Sequence, residues 1–317
     1  MLAAAQISPW HWAGFIGCVL VFLALDLGVF HRSAHEVKFK EALAWTGIWV
    51  ALAMLFGLVI APAMVPQWNI EKTVEFVTGY VIELSLSMDN VFVIAVIFAH
   101  FAVPGRYQHR VLFWGILGAL IMRGLMIWLG VELIQRFDWV LIVLGAFLVI
   151  SGLKMVVTRD QEPQPERNPA VRLTRKFFPV SSAFDGQKFL TTLNGRTALT
   201  PLALVLVLVE TTDLIFALDS IPAIFAVTTD PFIVFTSNVF AILGLRSLYF
   251  VLAGAIQYFR YLKIGLSVVL VFIGVKMIVV KFVHIPTPLS LGVVVLIIGG
   301  SILASVVTTN REKKAKG

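Results

Sequence analysis

Long apolar runs separated by short polar intervals make up most of the chain. A helix needs about 20 apolar residues to cross a hydrocarbon core roughly 30 Å thick. By that measure nine segments qualify: 10–30, 42–65, 76–101, 111–133, 139–157, 200–227, 232–256, 262–282 and 289–308. The pattern predicts an all-α polytopic membrane protein with about nine transmembrane helices. The first run is too long for a signal-peptide core and no cation precedes it, so it is read as a span. The polar interval 158–199 divides a first membrane half (1–157) from a second (200–317). Within it, Val171 to Phe178 reads either as a short amphipathic helix lying on the membrane or as solvated linker.

Composition agrees. Hydrophobic residues make up 59% and charged residues 14% of 317, with mean hydropathy +0.93; soluble domains carry about 45–50% and about 25%. One cysteine, Cys18, excludes an internal disulfide framework and a Cys-cluster metal site. The net charge of +7 invites nucleic acid as a partner, but the cations sit in loops between spans rather than in a basic domain, which excludes that class. Placing the N-terminus outside puts eighteen loop and tail cations on the cytoplasmic side and leaves three, Lys72, Arg136 and Lys281, outside. The sequence therefore predicts a bacterial plasma (inner) membrane protein with a cytoplasmic C-terminus, its partners being the bilayer and whatever it binds.

Apart from Glu132, Lys263 and Lys281 at span ends, four cations, Arg123, Lys154, Arg246 and Lys276, fall inside spans, with six acids, Asp26, Glu83, Asp89, Glu210, Asp213 and Asp219. A charge at the bilayer centre costs roughly 3 kcal/mol on insertion scales, so each should face the bundle interior and find a partner. The cations serve as charge partners, either locking helices together or gating.

The acids lie in two similar segments. Glu83-Leu-Ser-Leu-Ser-Met-Asp89-Asn90 and Asp213-Leu-Ile-Phe-Ala-Leu-Asp219-Ser220 each place an acid, five residues, an Asp and a small polar group. Downstream, Gly152-Leu-Lys-Met answers Gly274-Val-Lys-Met, and an intramembrane Arg precedes each. The buried charges are thus duplicated, in 76–157 and in 200–282. Because the two units enter from opposite sides, they form two inverted three-helix repeats, an arrangement used by secondary transporters.

The candidate ligands are carboxylates, an amide, hydroxyls and any carbonyl freed by Pro222, which predicts an unwound or kinked helix over 217–222 and an equivalent bend near Gly79 or Asp89. Hard oxygen donors suit Mg²⁺, Ca²⁺ or Mn²⁺. Met88 either adds a thioether favouring Mn²⁺ or merely packs. The six histidines sit near span ends and are read as interfacial. With acids in excess, burial favours their protonated forms and an arriving divalent ion displaces the protons, which points to cation/proton antiport.

The two acidic segments, with Glu210-Thr-Thr-Asp213 leading the second and Ala24-Leu-Asp-Leu-Gly-Val-Phe30 near the start, resemble the TerC family of bacterial membrane proteins, a group similar to the lysine exporters. The likeness runs from about Trp10 to Thr308. It implies export of manganese(II), which is substrate and not resident cofactor, and implies as metal-site residues Glu83, Asp89, Asn90, Glu210, Asp213, Asp219 and Ser220. The rival reading is a membrane scaffold or assembly factor in metal or tellurium stress that binds metal without moving it. An intramembrane hydrolase lacks support, since neither a Gly-x-Gly-Asp element nor a His-Glu-x-x-His motif occurs, so no enzyme is expected.

Overall fold

The computed structural model describes residues 7–25, 39–137, 139–157, 168–193, 195–255, 261–280, 282–283 and 285–316. Asp26 and the end of the first predicted span lie outside the described residues. The chain is an all-α polytopic membrane protein with one small β-hairpin. In order come α1 (Pro9–Leu25), α2 (Phe39–Leu55) with a π-turn at Phe56–Ile60, α3 (Ala61–Met64), α4 (Ile70–His100), α5 (Gly105–Arg136), α6 (Trp139–Val157) and α7 (Pro169–Phe177). The hairpin pairs β1 (Leu190–Leu193) with β2 (Arg196–Leu199), and α8 (Pro201–Phe225), α9 (Pro231–Ala255), α10 (Leu262–Val279) and α11 (Thr287–Lys316) follow.

Among the described residues, eight helical segments are long and apolar enough to cross a membrane, α2 counting together with its π-turn and α3. The described part of α1 is shorter, 17 residues or about 25 Å at 1.5 Å per residue. Caps set several boundaries. Asn69 accepts from the Lys72 amide to start α4, and Thr200 accepts from Ala203 at the head of α8, where Pro201 occupies the first turn. The π-turn has a local cause: Thr73 Oγ1 donates to the Gly57 carbonyl at 3.2 Å while Trp68 Nε1 donates to Thr73, and a Cβ on Gly57 would run into the Phe76 ring.

Helices α4, α5 and α6 pack across the molecule against α9, α8 and α10. The α6–α10 seam is the tightest. A Cβ on Gly274 would lie 2.6 Å from the Gly145 carbonyl, one on Gly152 would lie 2.9 Å from the Ser267 carbonyl, and Ser267 Oγ donates to the Gly152 carbonyl. As one partner number rises from 145 to 152 the other falls from 274 to 267, so the two helices run antiparallel. Where lipid already surrounds apolar side chains, such close backbone contact is what holds helices together. Gly274→Leu should cost about 1–3 kcal/mol through overpacking, read as a lower unfolding temperature in detergent relative to Gly292→Leu, at a glycine with open space around it.

No unwinding occurs in α8, which is continuous from Pro201 to Phe225. The proline lies three residues from the helix end, where losing one donor breaks little of the ladder. Likewise α4 is continuous from Ile70 to His100.

Candidate cation site

Arg123, on α5, is 1% exposed and draws four helices together. Its guanidinium forks onto Asp213 of α8, Nη2 to Oδ1 at 2.8 Å and Nε to Oδ2 at 3.1 Å. Nη1 donates to Glu83 of α4 and lies 3.4 Å from both Ser220 Oγ and Asn238 Oδ1, the latter on α9. Asn90 Nδ2 reaches Asp213 Oδ1 at 3.4 Å. The spacing explains the convergence: seven residues is nearly two helical turns, so Glu83 and Asn90 share one face, as do Asp213 and Ser220. One guanidinium thus serves two buried carboxylates from two different helices.

Beside this cluster is a cavity of about 20 Å³, room for one water-sized occupant. Glu83, Asp89 and Asn90 line it from α4, Asp219 and Ser220 from α8, and Met155 from α6. Glu83 Oε2, Asn90 Oδ1 and Asp219 Oδ1 are buried acceptors with no hydrogen-bond partner. An unpaired buried acceptor costs about 1–3 kcal/mol, so three on one small space favour a cation there. Ser151 of α6 hydrogen-bonds the Asp219 carboxylate, and Lys154 is close enough to interact with it electrostatically.

The residues singled out by sequence divide into groups. Glu83 and Ser220 serve both Arg123 and the cavity, Asn90 bonds Asp213 and lines the cavity, Asp89 and Asp219 line the cavity, and Asp213 holds the arginine. Glu210 does neither: its carboxylate rests on Gly118 of α5, where any Cβ would collide with it. Met88 packs in the apolar core, while Met155 takes the place at the cavity. Lys276 is buried near Glu75, and Arg246 is buried in α9. Among the described residues, no three of His, Cys, Asp and Glu stand close enough to hold a metal by themselves. Amide, hydroxyl or thioether donors would have to complete a ligand set. Sequence reasoning missed Asn238, Ser151 and Met155. For Asn238 a signal existed, the polar run Thr236-Ser237-Asn238 within an apolar span.

The integral membrane protein TerC family model matches residues 68–313. The chain is similar to a membrane protein of Myxococcus xanthus, 55% identical over 95% of this chain and 93% of the relative. It is also similar to Alx of Escherichia coli (strain K12), described as a proposed membrane-bound redox modulator, at 45% identity over 98% of each chain. A membrane protein of Rickettsia bellii is 38% identical over 94% of this chain and 98% of its own. No solved structure matches.

Proposed function

This chain belongs to the TerC family of integral membrane proteins, and from that premise we propose that it exports manganese(II) from the cytoplasm by proton antiport. The observation that carries the reading is the small cavity ringed by Glu83, Asp89, Asn90, Asp219 and Ser220, three of whose oxygens are buried and unpaired. Hard oxygen donors with one thioether suit Mn²⁺ better than the harder Ca²⁺ and Mg²⁺. Protons leaving the acids as the ion arrives supply the coupling. In this reading the two repeats are inverted, and the antiparallel α6–α10 seam is consistent with that. The loop cations support a plasma-membrane orientation with the N-terminus outside. The site is a conduit rather than a catalytic centre.

Redox modulation, the role proposed for Alx, finds less support in this chain. With one cysteine it has no intrachain dithiol to cycle. Flux of Mn²⁺ into or out of proteoliposomes under an imposed pH gradient tests the proposal; binding without flux would favour a metal-holding scaffold. Met155 gives a finer check. Met155→Leu conserves volume and removes the thioether, so Mn²⁺ should lose its advantage over Ca²⁺ in competition flux while the protein stays as stable as the parent.

A further inference from the structure

The polar interval between the membrane halves is structured where it is described. Helix α7 starts at Pro169 with Asn168 as its cap, accepting from the Ala170 amide at 2.8 Å. Val171 is 1% exposed and packs in one cluster with Leu202 and Val205 of the first turns of α8 and with Val111 and Leu112 near the start of α5. The nine-residue helix therefore lies against the starting ends of two membrane-spanning helices.

The face away from Val171 is unusual for a polar segment. At 100° per residue, Leu173 and Phe177 lie about 160° and 120° from Val171 and adjoin each other one turn apart. They are 57% and 68% exposed, and Phe178 just beyond is 55% exposed. Arg172 and Lys176 flank this stripe on one side, and Arg175 lies nearer the bundle. Over the described residues of 168–199, five cations face one acid, Asp185.

The hairpin pins the segment. Ser181 N and Leu199 N pair with the carbonyls of Leu199 and Pro179, each at 2.8 Å, and Arg110 of α5 stacks 5.5 Å from the Phe189 ring. Asp185 accepts from Thr191 Oγ1 at 2.9 Å and from Lys188 Nζ at 3.3 Å, which holds its carboxyl below the usual range and keeps it ionised beside the hairpin. A fixed amphipathic helix, held against the span ends and presenting apolar residues beside cations, has the properties of an interfacial anchor.

We propose that α7 docks on the anionic phospholipid surface of the bilayer, Leu173 and Phe177 entering the headgroup–acyl boundary while Lys176 beside them pairs with lipid phosphate. The helix then fixes the interval between the two membrane halves against the lipid independently of what the cation site carries.

The sole native cysteine makes the test simple. In full-length protein carrying Cys18→Ser, single cysteines are placed by Leu173→Cys, Phe177→Cys, Arg172→Cys or Lys176→Cys and labelled with an environment-sensitive fluorophore. Each is reconstituted in vesicles of phosphatidylcholine with phosphatidylglycerol, and of phosphatidylcholine alone. The expected result is blue-shifted emission, and loss of fluorescence to acyl-chain quenchers, at 173 and 177 but not at 172 or 176, weakening when the anionic lipid is left out. Neutralising Lys176 with Gln should lower the docked-to-undocked ratio about fivefold, the worth of one cation near an anionic surface. Equal quenching at all four positions would overturn the proposal. So would quenching indifferent to anionic lipid, or labels at 173 and 177 shielded from both lipid and aqueous quenchers, which would mean a protein partner covers the face.

Discussion

Asp219→Asn, and separately Asp89→Asn, should abolish manganese flux while the protein stays in the membrane. Asparagine keeps the shape and one oxygen, so the loss isolates the charge. Two unit charges 4 Å apart interact by about 4 kcal/mol at an effective dielectric near 20, and a divalent ion doubles that. If only about a third survives desolvation, the affinity falls about a hundredfold, since each 1.4 kcal/mol is tenfold. The measurement is Mn²⁺ uptake into proteoliposomes, paired with growth protection of a manganese-sensitive host. Parental flux in both variants would remove the cavity from the transport path. Glu210→Gln provides the contrast. Its carboxylate sits on Gly118 outside the cavity, so manganese binding to the protein should survive the change.

Replacing Arg123 should unfold or misassemble the bundle. Arg123→Gln leaves Glu83 and Asp213 facing each other across a buried space with no counter-charge, and breaking such a pair typically costs about 3–5 kcal/mol. That is a large fraction of the 5–15 kcal/mol of a typical domain, so low yield and a depressed unfolding temperature are expected. The triple variant Arg123→Gln, Glu83→Gln, Asp213→Asn removes the stranded charges together. It should recover most of the stability without recovering flux. Equal loss in the single and triple variants would mean that the arginine acts through packing alone.

The membrane spans were legible because the bilayer forces their length and apolarity. The predicted span 111–133 falls within α5, 76–101 overruns the end of α4 by one residue, and 139–157 coincides with α6. The acidic motifs were equally legible, since ionisable groups in a span are costly and the seven-residue spacing assigns a face. What failed was division of labour. A sequence shows that Glu83 and Asp213 lie on matching faces, but not that one arginine on a third helix takes both. Nor does it show that Met155, 67 positions beyond Met88, replaces it at the cavity, because helix crossing angles decide that. Of the unwinding or kink expected around Pro222, the unwinding does not occur, because α8 stays helical through it. The hairpin was legible yet overlooked: Asn194-Gly195 is the strongest short-range hairpin signal, and Gly195 takes a φ of 76° that suits glycine.

The seam between α6 and α10 has a mechanical consequence. Side chains usually form a compliant layer between helices, yielding by rotamer changes before a displacement passes on. At Gly145, Gly152 and Gly274 that layer is missing, and the backbones bear directly on each other. The pair is thereby stiffened into a single plate. Ser151 and Met155 ride on an adjacent face of the same plate, so a tilt of α10 reaches the Asp219 carboxylate almost undamped.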